Sequence, residues 1–338
     1  MADNAFPGWM IRKSDDGLAA SLEQVSVDAL DDLDTTVRVW FSSINYKDAL
    51  ALWGKPGVVR RTPLIPGIDF VGEVIETSHP GWKRGDVVIS NGAGLGEELH
   101  GGLAEVARAR GDDLVALPSE YTPAQAAAIG TAGFTAGLSL LALERHGLAP
   151  GDGPVLVTGA GGGAGSMAVA LLNTAGYEVA AATGRPDALR DTLTDLGATT
   201  IIDRAELEGQ TKPLAAQRWA GVVDAVGGSV LAGALAQVRQ GGAVAAFGLA
   251  GGAQLPTTVL PFILRGVSLL GIDSVRAEPD LRRAAWDRLA RHLKADPIDA
   301  VTRRVPLAEA KDAARDLIDG RGTGRTVVEV AAPASSSR

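Results

Sequence analysis

Val155-Leu-Val-Thr-Gly-Ala-Gly-Gly-Gly-Ala-Gly165 is the stretch that decides the fold of this chain. The apolar residues Val155–Thr158 predict a buried strand, and residues 166–175, which follow the glycines, have the composition of a helix. Glycines at such a turn allow a tight bend and a close approach of the backbone to a pyrophosphate. The stretch therefore predicts a dinucleotide-binding loop, with a purely structural glycine-rich turn as the alternative.

Apolar runs alternate with helical stretches on the C-terminal side of this loop. The further runs are residues 178–182, 200–202, 221–225, 243–247 and 267–271. Strands that alternate with helices predict βαβ units in a parallel sheet, and runs without polar alternation are typical of strands covered on both faces. A helix over residues 281–293 follows.

The N-terminal third of the chain has a different pattern. Short strand-like runs at residues 37–41, 69–75 and 85–89 lie between turn signals, which predicts an irregular β-rich domain. The pattern changes near Pro123, where an alanine- and leucine-rich helical stretch begins, and strand-like runs return at residues 300–305 and 325–330.

Composition excludes several classes of function. The chain has 338 residues, enough for about two domains, and its net charge of −8 argues against a nucleic-acid partner. It contains no cysteine, which excludes disulfides, thiolate metal ligands and a cysteine nucleophile. There is no secretory signal pattern, and no run approaches the roughly 18 apolar residues of a membrane span. We therefore expect a cytoplasmic protein without a membrane partner.

The end of the second predicted strand distinguishes two nicotinamide cofactors. NAD sites usually place Asp or Glu there, about 20 residues beyond the loop, to bind the ribose hydroxyls. This chain instead has Thr183, Gly184 and Arg185. A guanidinium binds a 2′-phosphate through paired hydrogen bonds, so we expect NADPH. The alternative is that Arg185 is a solvated surface charge.

Longer blocks of sequence resemble one family. They are Ser43-Ile-Asn-Tyr-Lys-Asp-Ala-Leu-Ala-Leu52, Arg60-Arg-Thr-Pro-Leu-Ile-Pro-Gly-Ile-Asp-Phe70, Gly101-Gly-Leu-Ala-Glu105, Ile129-Gly-Thr-Ala-Gly-Phe-Thr-Ala136, Gly248-Leu-Ala-Gly-Gly252 and Leu255-Pro-Thr-Thr-Val-Leu-Pro-Phe-Ile-Leu-Arg265. With the order of the two domains, they are similar to the medium-chain dehydrogenase/reductase superfamily. Within it they resemble the acrylyl-CoA reductase family of YhdH-type quinone oxidoreductases.

The resemblance implies an α/β fold class with two domains. Residues 1–123 and 298–332 would form a β-rich GroES-like catalytic domain, and residues 124–297 a Rossmann domain with a doubly wound parallel sheet. The composition of residues 333–338, with Pro333 and three consecutive serines, predicts a disordered tail. A homodimer is also implied, because the sixth strand of such folds often pairs across a two-fold axis.

The resemblance also implies that the protein has no zinc. In zinc alcohol dehydrogenases of the superfamily, a Cys-x-x-Asp and a Gly-His-Glu segment supply metal ligands. The matching positions carry Asn45 in place of the thiolate and Ile68 in place of the imidazole. Isoleucine cannot ligate a metal, and the four histidines (His79, His100, His146, His292) lack ligand spacing.

NADPH contacts are carried over from the family by position. They fall on Tyr46, Gly161, Gly162, Gly163, Ala164, Gly165, Thr183, Gly184, Arg185, Arg204, Leu249, Ile263 and Ser274, with Arg325 as a weaker candidate. Ile263 would pack on the nicotinamide, and Ser274 would place a hydroxyl near the carboxamide. The alternative for Leu249 and Ile263 is packing in the core.

An activated alkene fits a site without a Lewis acid. Hydride would reach the β-carbon of an α,β-unsaturated thioester or carbonyl, and backbone N–H groups or Asn45 would stabilise the enolate oxygen. Tyr46 is the candidate proton donor. Two simpler roles remain open, because Tyr46 would also suit positioning of the nicotinamide and Asn45 would also suit capping of a local turn.

The sequence is compatible with more than one substrate. Lys47, Lys55, Arg60 and Arg61 form a basic cluster, which CoA phosphates or a solvated loop surface explain equally well. The loop at residues 91–101 lacks two tryptophans common in the family. The hypotheses are reduction of an enoyl-CoA, reduction of a quinone or free enone, and non-catalytic binding of NADPH.

Overall fold

The computed structural model describes residues 5–15, 17–209 and 212–332. The chain forms two compact units. The first consists of Met1–Thr131, Ser274–Trp286 and Ile298–Arg338, and the second of Ala132–Asp273 and Asp287–Pro297. This division differs from the predicted domain boundaries, because residues 124–131 and 274–286 group with the first unit. The predicted tail at residues 333–338 lies outside the described residues.

Strands and helices follow one another along both units. The strands are β1 (Ala5–Ser14), β2 (Gly17–Ser26), β3 (Thr35–Ser43), β4 (Asp69–Thr77), β5 (Val87–Asn91), β6 (Val106–Ala109), β7 (Leu114–Ala116), β8 (Val155–Thr158), β9 (Val179–Thr183), β10 (Thr200–Asp203), β11 (Trp219–Asp224), β12 (Val238–Ala246), β13 (Ser268–Gly271), β14 (Thr302–Pro306) and β15 (Arg325–Glu329). The helices are α1 (Tyr46–Leu52), α2 (Pro123–Arg145), α3 (Gly163–Thr174), α4 (Pro186–Asp195), α5 (Ala205–Glu208), α6 (Gly228–Leu235), α7 (Leu260–Arg265), α8 (Pro279–His292), α9 (Ala295–Ala300) and α10 (Ala310–Ile318).

The second unit is built on a six-stranded sheet in the order β10-β9-β8-β11-β12-β13. Every neighbouring pair in it is parallel. This is the strand order of a Rossmann fold, in which ligands bind beyond the carboxyl ends of the strands. The predicted doubly wound sheet is confirmed, because each apolar run of the sequence overlaps one of these strands.

Branched aliphatic side chains form the core of this sheet. Leu156, Val222 and Val244 lie on one rung of β8, β11 and β12, and all three are fully buried. Full burial of such a side chain stabilises the fold by about 1.5–3 kcal/mol. The apolar runs lack polar alternation because helices cover both faces of the sheet.

The first unit contains a mixed sheet in the order β14-β15-β3-β4-β5-β7, with β6 also paired to β3. Strand β15 lies inside this sheet, parallel to β14 and antiparallel to β3. The hairpin of β1 and β2 pairs along ten residues of each strand. Sequence reasoning missed this hairpin, because most side chains of β2 are exposed and give no continuous apolar run.

Helix α2 coincides with the helical stretch that the sequence predicts from Pro123 onwards. Its length and composition are sufficient for a membrane span, although 83% of its apolar window is buried inside the protein. Polar residues such as Thr131 and Ser139 interrupt the apolar residues of this helix. Gly130 breaks the helix with φ 46° and ψ −155°, and the chain passes into the second unit just after this break.

Candidate active site

The glycine-rich loop lies between β8 and α3 in the second unit. Gly162 is the extended N-cap residue of α3, and α3 presents its first amide groups at this turn. A Cβ on Gly165 would lie 2.2 Å from the carbonyl oxygen of Gly159, so a side chain here has no room. A bare backbone at a helix N-terminus, next to the carboxyl end of a strand, is the cradle that a pyrophosphate needs.

Two arginine residues, Arg185 and Arg204, lie near the tip of β9. Thr183 ends the strand, and its buried Oγ1 accepts the amide N–H of Arg185 at 3.2 Å. Arg204 follows β10, and its Cζ lies 3.3 Å from the position that a Cβ of Gly184 would take. Its Nε is also 3.0 Å from Oε1 of Glu208. The structure thus brings Thr183, Gly184, Arg185 and Arg204 together at one edge of the sheet.

Asp224 is a buried carboxylate at this same edge that sequence reasoning missed. It accepts hydrogen bonds from Oγ1 of Thr158 at 2.6 Å and from the amide N–H of Gly227 at 2.8 Å. Burial raises the pKa of its carboxyl. The side chain joins the ends of β8 and β11 and shapes the turn beyond them. The sequence pattern predicts Asp224 only as part of an apolar strand, and no local signal indicates this bond.

Leu249 and Ile263 are exposed, at 71% and 68% of their side-chain surface. Packing in the core, which the sequence left open, is therefore excluded for both. Leu249 follows β12 at the carboxyl edge of the sheet, and Ile263 lies on α7. Exposed apolar side chains at a ligand-binding edge suit contact with a planar ring.

The first unit carries the other predicted catalytic residues. Asn45 is the N-cap residue of α1, and its backbone N–H donates to Oδ2 of Asp48 at 2.8 Å. Tyr46 is the first residue of this helix and is 53% exposed. The helix cap therefore fixes the backbone directly before the exposed phenol.

Asn45 also belongs to a buried polar cluster, which consists of Ser43, Asn45, Asp48, Asp69 and Arg325. Oδ1 of Asp69 accepts hydrogen bonds from Ser43 N at 3.1 Å and Ser43 Oγ at 2.9 Å. Its Oδ2 accepts from Nδ2 of Asn45 at 2.9 Å. A Cβ on Gly130 would lie within 2.9 Å of Asp69, Ser43 and Arg325, so the break in α2 leaves the space that the cluster fills.

Arg325 is the buried cation of this cluster, with 3% of its surface exposed. Its Nε donates to the carbonyl of Ala128 at 2.6 Å, Nη1 to Oδ1 of Asn45 at 3.1 Å and Nη2 to Oγ of Ser43 at 2.6 Å. Burial lowers the pKa of its guanidinium, and the carboxylates of Asp69 and Asp48 oppose that shift. The weaker prediction of a cofactor contact does not match this enclosed position.

Asp48 is the second buried acid of the cluster. Burial raises its pKa to about 7, and the charge of Asp69 adds to the shift. Hydrogen bonds from Asn45 and from the amide N–H of Ile68 oppose it, the latter at 2.9 Å to Oδ1. A carboxyl in this state exchanges its proton near neutral pH.

Asn45 and Ile68, at the positions of the zinc ligands in zinc alcohol dehydrogenases, have structural roles in this protein. The amide of Asn45 donates to Asp69 and accepts from Arg325, and the side chain of Ile68 is buried. Across the part of the chain that the structure describes, no group of three or more His, Asp or Glu side chains has the arrangement of a metal site. Nδ1 of the buried His100 accepts the amide N–H of Ile65 at 3.0 Å, which is a structural role.

Two residues of the predicted basic cluster form ion pairs. Nζ of Lys47 lies 2.6 Å from Oε1 of Glu97, and Nη2 of Arg61 lies 2.6 Å from Oδ1 of Asp31. Lys55 and Arg60 are exposed and form no ion pair within the described ranges. These two side chains therefore remain the better candidates for an anionic ligand.

One cavity of the second unit lies away from the predicted residues. Its volume is about 190 Å³, and its walls include His146, Asp152 and Arg239. Nη1 of Arg239 donates to the carbonyl of Asp152 at 2.6 Å. This cavity lies at the amino ends of β8, β11 and β12, the edge opposite the glycine-rich loop, so it has no part in the site.

Two family models match the chain. Residues 31–119 match the alcohol dehydrogenase GroES-like domain, and residues 163–291 match the zinc-binding dehydrogenase domain. Acrylyl-CoA reductase AcuI of Ruegeria pomeroyi is 50% identical over 92% of this chain and 94% of its own length. The chain belongs to the acrylyl-CoA reductase family. This confirms the resemblance, the GroES-like and Rossmann fold class, and the expectation of an oxidoreductase.

Solved structures of the family share the whole fold. The yhdH oxidoreductase of Salmonella enterica, in complex with NADP, is 47% identical with a TM-score of 0.93, covering 96% of this chain and 100% of its own. The Bacillus subtilis protein yhfP, solved with NAD bound, is 44% identical with a TM-score of 0.92, covering 96% and 99%. The Bacillus protein carries a provisional quinone oxidoreductase name.

Proposed function

We propose that this protein is an NADPH-dependent reductase of the activated C=C bond of acrylyl-CoA or a related 2-enoyl thioester. The observation that carries the proposal is the carboxyl edge of the second unit's sheet. There the glycine-rich loop adjoins Arg185 and Arg204, and β9 ends in Thr183 rather than in an Asp or Glu. The relatives that bind NADP and that are named acrylyl-CoA reductase support it.

The second unit would hold the cofactor along this edge. The amides of the loop Gly161, Gly162, Gly163, Ala164 and Gly165 would bind the pyrophosphate. Thr183, Gly184, Arg185 and Arg204 would surround the 2′-phosphate. Leu249 and Ile263 would contact the nicotinamide, and Ser274 would bind its carboxamide. When bound, NADPH supplies the hydride.

Tyr46 would act on the substrate as the catalytic acid. After hydride addition to the β-carbon, the α-carbon needs a proton, and the exposed phenolic hydroxyl of Tyr46 would donate it. Asn45 is assigned differently from the expectation. Its Oδ1 and Nδ2 are both committed to the buried cluster, so we propose that it positions Tyr46 and that backbone N–H groups stabilise the enolate oxygen.

We propose that the reaction needs no zinc. The site that would hold the metal lacks thiolate and imidazole ligands and contains Arg325, a fixed cation that would repel Zn²⁺. Elemental analysis of the purified protein should find far less than one zinc per chain, and chelation should leave the rate unchanged. One tightly bound zinc per chain would contradict this.

The substrate is tested by steady-state kinetics with acrylyl-CoA, crotonyl-CoA and a small quinone, each with NADPH and with NADH. We expect the highest kcat/KM for an enoyl-CoA with NADPH. The provisional quinone oxidoreductase name of the Bacillus relative supports the second candidate, and a preference for the quinone would favour it. Tight NADPH binding without turnover of any substrate would indicate a non-catalytic NADPH-binding protein.

Two further proposals concern the assembly and its ligands. Lys55 and Arg60 would bind the phosphates of CoA.

A cytoplasmic homodimer would form along β13, the last strand in the sheet order, which displays the exposed Leu269. Light scattering should give about twice the chain mass of 34.6 kDa, and Leu269→Glu should lower it towards one chain. A wild-type mass of one chain would contradict the dimer.

A further inference from the structure

Ser274 lies in a short turn that is tied to the start of the loop at residues 91–101. The amide N–H of Ala93 donates to the carbonyl of Val275 at 3.0 Å. Gly92 has φ 66°, and a Cβ there would lie 2.7 Å from the carbonyl oxygen of Ser274. The two backbone segments therefore touch directly, and both belong to the first unit.

Arg282 bridges these two segments from the first turn of α8. Its Nε donates to the carbonyl of Ala277 and its Nη2 to the carbonyl of Val275, both at 2.9 Å, while Nη1 donates to the carbonyl of Asn91 at 2.5 Å. Only 2% of its side chain is exposed. Oδ1 of Asp113, 3.7 Å from Nε, balances the buried charge.

Trp286 adds a second bond one helical turn later. Its Nε1 donates to Oδ1 of Asn91 at 3.0 Å, and its ring is almost fully buried. Asn91 is the last residue of β5, so its backbone carbonyl and its side-chain carbonyl are both held by α8. Side chains at i and i+4 lie on the same helix face, which lets Arg282 and Trp286 reach the same residue.

We infer that Arg282 is a positioning residue for the reaction. It holds the turn that carries Ser274 and the beginning of the loop at residues 91–101 as one rigid piece. This inference rests on the proposed function, because it assumes that Ser274 binds the carboxamide of NADPH. Arginine is suited to this task because its planar fork reaches several carbonyls in fixed directions, whereas a lysine is a single point charge.

The test compares Arg282→Lys and Trp286→Phe with a matched control, Trp82→Phe. Trp82 makes an equivalent bond in the same unit, from Nε1 to the carbonyl of Gly111 at 2.8 Å. The probes are NADPH and adenosine 2′,5′-bisphosphate, which lacks the nicotinamide half. Binding is measured by calorimetry, and turnover with acrylyl-CoA.

If Arg282 positions the turn, its replacement should weaken the binding of NADPH and leave the affinity for adenosine 2′,5′-bisphosphate unchanged. We expect kcat/KM for NADPH to fall about 10- to 100-fold in Arg282→Lys, since a displacement of about 1 Å costs up to that much, and roughly 3- to 10-fold in Trp286→Phe. Trp82→Phe should retain both affinities and the wild-type rate. A purely structural role would lower the melting temperature and the active fraction while leaving the affinity for NADPH unchanged.

Unchanged NADPH affinity in both variants, or equal losses for NADPH and the bisphosphate, would overturn the inference. If Arg282→Lys fails to fold, Trp286→Phe decides by the same criterion. Failure of the proposed function has a different result, because the wild-type protein would then not bind NADPH or not reduce acrylyl-CoA.

Discussion

Arg185 and Arg204 show how far single residues could be predicted. The sequence indicated Arg185, because its distance from the glycine-rich loop is that of the ribose-binding position. Arg204 came only from the family resemblance. Its position depends on the pairing of β9 with β10, in which Asp203 lies opposite Thr183 and the amide N–H of Arg204 donates to the Thr183 carbonyl at 2.9 Å.

Replacement of Arg185 by alanine should weaken the binding of NADPH and not that of NADH. A charge-assisted bond contributes about 1.5–3 kcal/mol, so the dissociation constant for NADPH should rise about 10- to 150-fold while that for NADH stays nearly constant. Fluorescence titration with both cofactors measures this. Arg190→Ala is the control, because Arg190 lies on α4, directly after Arg185, and pairs with Asp187 at 3.5 Å. Equal losses for both cofactors would count against the assignment.

Tyr46→Phe tests the proton donor. Removal of the phenolic hydroxyl should lower kcat with acrylyl-CoA by about 10²- to 10⁴-fold, because general acid catalysis contributes that much. The ring remains, so the affinity for NADPH should change little. Single-turnover kinetics separate the chemical step from product release. Wild-type turnover in the variant would assign the proton to water or another group and leave Tyr46 a positioning role.

Two glycines at the junction of β8 with α3 differ in how much space each leaves for a side chain. Gly165→Ala would force a Cβ to 2.2 Å from the carbonyl oxygen of Gly159, whereas Gly162→Ala would place one at 3.3 Å. We expect the first variant to lose several kcal/mol of stability and NADPH binding, and the second to lose little stability. Urea denaturation with and without NADPH measures both. Similar unfolding free energies for the two variants would show that the backbone between β8 and α3 shifts to accommodate the Cβ at residue 165.

The elements of the second unit were predictable because their signal is local. Strands β8 to β13 are short aliphatic runs, and the glycines after β8 identify the first of them. The first unit gave a weaker signal, since β6 and β7 have only four and three residues and the helix α10 was not predicted. Such short elements are specified by long-range pairing, which a local pattern does not contain.

The buried polar cluster is another feature that depends on contacts between distant parts of the sequence, and local sequence patterns do not contain them. Asn45 and Arg325 are 280 positions apart, and their bond forms only because β15 pairs with β3. The sequence indicated Asn45 through its position in a familiar block. It could not indicate that a buried arginine meets it, because charged side chains are usually exposed.

The pKa of Asp48 predicts how folding depends on pH. The folded protein raises this pKa from 3.8 to about 7, so the folded state keeps a proton that the unfolded chain releases. Stability from this group is therefore full below about pH 4 and declines as pH rises to about 7, by on the order of 4 kcal/mol. The raised pKa of Asp224 acts in the same direction.

Asp48→Asn isolates this effect, because the amide has nearly the same size and does not titrate. Unfolding free energies of both proteins are measured by urea denaturation from pH 4 to pH 8. The wild-type protein should lose stability relative to the variant over that range. A constant difference between the two curves would show that Asp48 is ionised throughout.

The place of β15 inside the first unit's sheet has a consequence for biosynthesis. While a ribosome is still translating the chain, residues 41–43 of β3 lack β15 as a partner, and the buried acids Asp48 and Asp69 lack the nearby charge of Arg325. The nascent second unit contains all of its own strands before that point. Maturation should therefore proceed against the order of synthesis, with the Rossmann part acquiring protease resistance first and the N-terminal part only once β15 has been synthesised and has paired with β3.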